Sequence, residues 1–563
     1  MKESPYRTAD VRRALRVAML VAGETPAGIE SQLLGDLASA NYLELAGVYR
    51  VTAGARAQPA AGLPRLILSL YRALDRRIAA EPAAAAASGA CARAAEPGRT
   101  VLTDVSEGDL ASANLDVILA PCCPDAAAPH ARHARFGVWW VGASARLGRD
   151  CGYWDHFAAL IKGVTPTTVM LWAATATEPR PMMLDYASVR WVSGVSVARN
   201  LAAIAALRRS LWQSGLRGLA VRGWESLRSR GVAREPLLAA HVASLSADSP
   251  VSGLRVGAAL LRMMRRHLQR RRRMRKVDQK WLIGVRAIKD HGAAFAEPEG
   301  YQCLPSPRGR WYADPFVITV AARDYLFVED FDQRAGRARI SVAALDGNRI
   351  GEPQVALERP YHLSYPQVFA HAGEIFMIPE SGAHNTVELY RASSFPTGWE
   401  LVRVLYRGPA FDTTVVGHEG RFWFFTSLIE DSGGDSAQLL LFHSDRPDGD
   451  WQLHPENPLS CDARYARSAG SFFIQDGQLL RPAQDGSVTY GGAVRFCRVR
   501  LMNEEQYREE EVRLLEPPRS ANGIALHTYN RSSRTEVVDI GIAADRRTGV
   551  VMPAGYLPAI GSR

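Results

Sequence analysis

The stretch YADPFVI, residues 312–318, sets the reading of this chain, because its pattern returns at intervals near fifty residues. A short polar-then-apolar strand, a turn and an aromatic-rich strand recur at SYPQVFA (364–370) with GEIFMIPES, and at FDTTVVG (411–417) with GRFWFFTS. Two further copies are SAGSFFI (468–474) with GQLLRPAQD, and LHTYN (526–530) with TEVVDI. With Asp314, Pro366, Asp412, Ala469 and His527 as register marks, the spacings are 52, 46, 57 and 58 residues. That is the length of one four-stranded propeller blade with its connections, so five blades are expected. Third strands are legible as ARISVAALD, VELYRAS, QLLLFHSD and VRFCRVRLM. The fifth blade lacks its own, and WLIGVRAI (281–288), which precedes the first inner strand, would supply it. Closing the ring in this way removes two open sheet edges.

Outward from the repeats, 563 residues exceed one hydrophobic core, and a composition of 47% hydrophobic and 22% charged residues is that of a globular protein. The seven cysteines, at 91, 122, 123, 151, 303, 461 and 497, show neither zinc-ligand spacing nor a disulfide framework. ALRVAMLVAG near the start is interrupted by Arg16 and followed by Glu24, which argues against a secretion signal. No window of eighteen uninterrupted apolar residues occurs, and a cytoplasmic location is expected, peripheral at the inner membrane face if the basic segment described below binds lipid.

Upstream, LRVAMLVA (15–22), a helical stripe at Ile29, Leu33, Leu34 and Leu37, and LELAGVYRV open a right-handed strand-helix-strand unit. LDVILAP (115–121) and FGVWWVGA (136–143) add buried strands, giving a doubly wound, Rossmann-like α/β domain without the glycine-rich dinucleotide fingerprint. Between them lies the alanine-rich segment EPAAAAASGACARAAEPG. The expected organisation is an α/β domain over 1–200, a helical basic connector over 201–277, a propeller over 278–545 and a tail over 546–563.

The formal charge of +10 is concentrated in that connector, since 255–276 holds ten Lys or Arg and no acid. Within it Leu254, Ala258, Leu261, Met264 and Leu268 form an apolar helical stripe. A basic amphipathic helix of this kind lies on an anionic membrane or packs its stripe on a domain with its charges in water. Without interleaved aromatic residues, nucleic acid is not the expected partner.

GVWW, a polar turn, GYWDHFAALIKG and TVMLWAATA together resemble the N-terminal domain of folate-dependent formyltransferases over residues 15–200. The resemblance implies an Asn-x-His-x-Ser turn with a later Asp. Here the turn reads Trp140-Val141-Gly142-Ala143-Ser144, so the general acid/base is missing, and Asp155, His156 and Asp185 stand outside the pattern. Folate is accordingly not expected, and formyl transfer to an amino sugar is a third alternative for function.

Inner strands line a propeller's channel, so their polar residues meet there. In register these are Asp314, Tyr365, Asp412, Arg467 or Ser468, and His527, with Glu380, Asp485 and Arg481 from second strands and His362 nearby. Carboxylates converging on one funnel must bind a cation, share protons or face a polar ligand, unless each braces its own blade. No cofactor is predicted beyond that channel cation.

ADPF resembles the first inner strand of furanoside-cleaving glycosidases, the arabinanases and invertase-like enzymes. The series YADPF, YPQVF, FMIPES, ELYRA, DTTV and RPAQD resembles the propeller region of plant glucosamine inositolphosphorylceramide transferases, over 278–545. That resemblance implies a glycan or glycolipid substrate; the sugar-transferring domain of those proteins has no counterpart here, and Arg467 and Ser468 stand where the glycosidases place their acid. The expected chemistry is cleavage or transfer of a glycosyl unit, with Asp314 as base or nucleophile, Glu380 as acid and Asp412 holding their protonation states apart. The alternative is a glycan- or headgroup-binding module in which Trp311, Tyr365, Arg467 and His527 stack and hydrogen-bond.

Overall fold

In the computed structural model the described residues are 13–21, 29–51, 103–121, 127–142, 167–190 without 179, 196–242, 275–288 and 295–553 without 305, 308, 347–348, 430–436 and 549. Single positions within 70–75, 193 and 258–273 complete them. The alanine-rich segment lies outside the described residues.

Five antiparallel sheets form the propeller. The first four are built from 310–357, 364–407, 410–453 and 467–515, each starting on the inner strand that the repeat marks. The fifth is completed by the segment before the first blade: Val277–Ala287 pairs with Thr535–Asp545 through eleven successive residue pairs. This closing ladder is the longest pairing in the ring. Arg286 ties it laterally to buried Glu536.

The first three inner strands share one irregularity. The ladder slips between Ala313 and Phe316, between Ser364 and Gln367, and between Phe411 and Thr414. At each slip a non-glycine residue takes a left-handed backbone: Asp314 at φ 48°, Tyr365 at 44° and Asp412 at 49°. Bulges like these turn a backbone N–H out of the ladder and re-aim the side chain. The structural counterpart of Asp314 in the second blade is therefore Tyr365 rather than Pro366. In the fourth blade Gly470 lies so close to Tyr529 that a Cβ would stand 2.0 Å from its carbonyl oxygen, so no side chain fits there.

The N-terminal unit contains a seven-stranded sheet. Thr103–Asp104, Leu43–Arg50, Leu15–Val21, Val117–Leu119 and Val138–Gly142 run parallel in that spatial order, and Thr167–Ala174 and Met182–Val189 extend it antiparallel. Most of the chain linking Leu43–Arg50 to Thr103, and all of 143–166, lies outside the described residues. The helix Val197–Arg222 belongs to this unit's core, not to a connector beginning at 201. Its Ile204, Leu207, Leu211, Trp212 and Leu216 pack in one cluster with Val17, Met19, Leu171 and Leu184.

The same helix faces the propeller with its polar side. Ser210 accepts from Gln438 at 2.8 Å, buried Arg217 donates to the Asn457 carbonyl, and Arg222 pairs with Glu456 at 3.0 Å. Ala463 N–H donates to the Ser188 carbonyl at 2.9 Å. These contacts fall on the start of the third blade's third strand and on the loop leading into the fourth inner strand. In an antiparallel blade both lie on the face where inner strands begin, which is the mouth of the channel.

Candidate functional site at the channel mouth

Each amide released by a bulge is taken up by a carboxylate of the preceding blade. Asp314 N–H donates to Asp539 at 3.1 Å, Tyr365 N–H to Asp314 at 3.2 Å and Asp412 N–H to Glu380 at 3.1 Å. The bulges thus draw buried Asp539, Asp314 and Asp412 and half-buried Glu380 into one series running across blades five, one, two and three. The fourth blade ends it with a cation, as Arg467 Nε lies 2.6 Å from Asp412.

His527 sits at the other end. Its Nδ1 is 2.5 Å from Asp539 and 3.7 Å from Asp314, and its ring stacks on Trp281 with centroids 4.1 Å apart. Burial lowers the imidazole pKa, but Asp539 and Asp314 together outweigh it and raise the pKa to about 9. Asp314 also accepts the Thr528 hydroxyl at 2.7 Å. Burial raises its pKa to about 6, with His527 opposing and the Asp539 and Asp412 charges adding. Glu380 is driven higher, to about 8, by burial and the Asp412 charge against the pull of Arg467. Glu380 therefore holds its proton to higher pH than Asp314, whose ionised form is favoured by the His527 imidazolium beside it.

Two members of the group escaped the sequence reading. Asp539 is fully buried on the fifth blade's second strand, where its only signal is an acid inside the apolar run TEVVDI. Glu329 stands opposite Ala313 as Glu380 stands opposite Ser364, so aligning the second strands would have found it. Burial, then Asp314 and Glu380, push its carboxyl well above the ordinary range. His362 Nε2 lies 3.4 Å from Glu329, while its Nδ1 accepts the Ala338 N–H at 3.1 Å. A ring nitrogen that accepts a backbone N–H leaves the proton on the other, so His362 presents an N–H to Glu329.

Other expected members lie elsewhere. Asp485 accepts from Arg495 at 2.8 Å and from Ser487 N–H, both within the fourth blade. Arg481 is wholly buried in a two-bond pair with Glu509, at 2.7 Å each, toward the outer strand of that blade. Both side chains alternate away from the channel. Ser468, the alternative to Arg467, is buried beside it and its hydroxyl has no hydrogen-bond partner. Tyr365 is no platform for a ligand: its hydroxyl accepts Gly470 N–H at 2.6 Å and bonds Thr414 at 2.9 Å, bracing the second blade to the third and fourth. Trp311 stacks on Phe331 at 4.5 Å near the mouth.

Among the described residues, Asp314, His527 and Asp539 form the group able to hold a metal ion, with one ligand atom each, all within 4.8 Å of one another. A cation there would compete with the proton that Asp539 holds on His527. A cleft of about 900 Å³ lies between the N-terminal unit and the outer strand of the fourth blade. None of the channel carboxylates lines it.

Of the positions compared with formyltransferases, Trp140 and Val141 are buried in a strand, and Ala143, Ser144, Asp155 and His156 lie outside the described residues. Asp185 is buried between Arg234 and Arg230, which hold its pKa low against the opposing effect of burial.

Residues 304–541 match the family described as glucosamine inositolphosphorylceramide transferase 1, N-terminal. The propeller is thus similar to that region of the transferases. The enzyme of that name from Arabidopsis thaliana is 36% identical over 256 residues, covering 44% of this chain and 33% of the relative. Its counterpart from Oryza sativa subsp. japonica is 37% identical over 207 residues, with shares of 36% and 28%. The chain thus spans about a third or less of the length of these relatives. Among solved structures, a family 117 glycoside hydrolase from Zobellia galactanivorans is 14% identical with a TM-score of 0.31, covering 47% of this chain and 92% of that one. A GH43_1 enzyme from Xanthomonas citri complexed with xylotriose is 10% identical with a TM-score of 0.32, covering 43% and 90%.

Proposed function

We propose that the propeller channel acts on a glycosyl unit of a glycan or glycolipid, cleaving or transferring it, with Glu380 as proton donor and Asp314 as the carboxylate that assists as base or nucleophile. What supports this reading is that two carboxyls of one channel have different neighbours: burial and the Asp412 charge favour the protonated form of Glu380, whereas His527, 3.7 Å from Asp314, favours its ionised form. An oxocarbenium-like transition state needs such a pair, one group to protonate the leaving oxygen and one to meet positive charge or activate the acceptor. Burial and then the Asp412 charge raise the acid's pKa, and Arg467 pairs with Asp412. The relatives' name, which joins glucosamine to an inositol-bearing ceramide, agrees with a sugar-lipid substrate.

A second reading has its own observation. Asp539, Asp314 and Glu380 each already accept a backbone N–H from the next blade, as braces would. In that case the mouth binds a glycan without changing it, through Arg467, His527 and Trp311. Incubating the full chain with radiolabelled glycans and glycosphingolipids separates the two. An enzyme releases or moves label, and Asp314→Asn and Glu380→Gln each lower the rate by about 10²–10⁴. A binder returns the label unchanged, and a wild-type rate in both variants would remove the pair from the mechanism.

A further inference from the structure

In the basic segment before the closing strand, Ala258, Leu261, Met264 and Leu268 of the apolar stripe are described, and all four are exposed. Its described residues are helical and exposed, with Leu261 at 71%, Met264 at 54% and Leu268 at 52%. These described side chains are not packed against either domain. Exposed Arg262, Arg265 and Arg272 flank it, and the sequence from 255 to 276 contributes ten Lys or Arg and no acid. Large apolar side chains left in water at spacings of three and four on a helix, rimmed by one sign of charge, mark a docking surface.

The segment's attachment fixes its place on the propeller. Lys276 N–H donates to the Arg273 carbonyl at 2.9 Å, and the Lys276 carbonyl accepts from Arg546 N–H at 2.8 Å, so a turn at 275–276 joins the segment to Val277. Val277 begins the third strand of the fifth blade, opposite Asp545 at the end of the second. First and third strands of an antiparallel blade begin on the same face. The basic segment therefore leaves the propeller on the face where Asp314, Glu380 and Asp412 lie.

We propose that the basic segment, through Leu261, Met264 and Leu268 with Arg262, Arg265 and Arg272 around them, docks on the surface of an anionic lipid bilayer and holds the channel mouth against it, so that the substrate is a lipid-linked glycan reached from the membrane surface. The charge complementarity selects the occupant: a wholly basic rim requires an anionic partner, and Leu261, Met264 and Leu268 give a bilayer something to bury that a nucleic acid has no use for. A helix of this kind lies in the interface and does not cross. Consistently, no helix among the described residues is long and apolar enough to span a membrane. The substrate half of the proposal rests on the carbohydrate reading above, whereas the docking half does not.

The test is co-sedimentation of the full chain with sucrose-loaded vesicles of phosphatidylcholine alone or with 30% phosphatidylserine. Binding is expected only to the acidic vesicles and should fall at least tenfold between about 50 and 300 mM NaCl, as surface charges are screened over about one Debye length. Changing Arg270, Arg271, Arg272 and Arg273 together to Gln should weaken partitioning by about a hundredfold or more. Leu261→Gln with Met264→Gln and Leu268→Gln should also release the protein at unchanged charge. Leu261, Met264, Leu268, Arg272 and Arg273 are exposed, and an unshifted melting temperature confirms that the variants fold. Failure of the wild type to co-sediment at low salt overturns the proposal. So does vesicle binding that survives both sets of changes, or tight binding to a single-stranded oligonucleotide that the apolar substitutions leave intact. Because the vesicles carry no glycan, Asp314→Asn should bind them as the wild type does, which keeps this outcome separate from that of the catalytic reading.

Discussion

Replacing His527 by Gln should cost stability in one pH window only. In the folded chain the imidazolium lies 2.5 Å from Asp539, and its pKa rises from 6.5 to about 9. A folded-state pKa above the unfolded one contributes stability that is complete below pH 6.5 and lost as pH rises through 9. Each pH unit of difference is worth about 1.4 kcal/mol, so the full contribution is about 3 kcal/mol. The variant keeps a hydrogen-bond donor of similar size but no charge, and Asp314, relieved of its cation, takes up a proton more readily and offsets part of the loss. The net deficit at pH 6.5 is then at most about 3 kcal/mol, about 6–12 °C in melting temperature for a domain of this size. At pH 9.5 and above, where the wild-type ring is neutral, the two curves should converge. Calorimetric scans from pH 6 to 10 measure this directly, and curves that stay parallel across the range would refute the charged His527.

Glu329→Gln replaces a carboxyl that burial and its neighbours keep protonated, so the melting temperature should move by no more than about 1 kcal/mol equivalent; a loss of 3 kcal/mol or more would mean that Glu329 is ionised. Arg467→Met removes the guanidinium that pulls Glu380 down, so the alkaline limb of the pH-rate profile should shift to higher pH, along with a stability loss of about 3–5 kcal/mol from the uncompensated Asp412. A chain beginning at residue 290 lacks the closing strand and its eleven-pair ladder, so it should fail to give cooperative unfolding of the propeller; an unchanged transition would show that closure is dispensable.

The propeller was legible because each blade repeats one pattern with strong alternation, and even the closing strand could be placed by noting which blade lacked a third strand. The site was legible in part. Asp314, Glu380, Asp412, Arg467 and His527 converge because inner strands and second-strand ends share the mouth, which register alone predicts. Asp485 and Arg481 were misplaced because period two assigns the face of a strand residue only once the ladder is known, and in the fourth blade both side chains turn to Arg495 and Glu509. Asp539 was hidden by its neighbours, since an acid in an apolar run looks the same whether it braces a strand or faces a channel. The helix Val197–Arg222 resisted reading for a related reason: packed between sheet and propeller, it buries Asn200, Ser210, Ser214 and Arg217 along with its leucines, so no single apolar stripe marks it.

The central claim is that Glu380 and Asp314 divide acid and carboxylate roles on a sugar. Rates on a series of aryl glycosides whose leaving groups differ in acidity, measured for the wild type, Asp314→Asn and Glu380→Gln, test it most directly. The account predicts that Asp314→Asn is slow on every member, whereas Glu380→Gln is slow on poor leaving groups and approaches the wild type on those that need no proton. Equal losses for Glu380→Gln across the series, or full activity in Asp314→Asn, would contradict it.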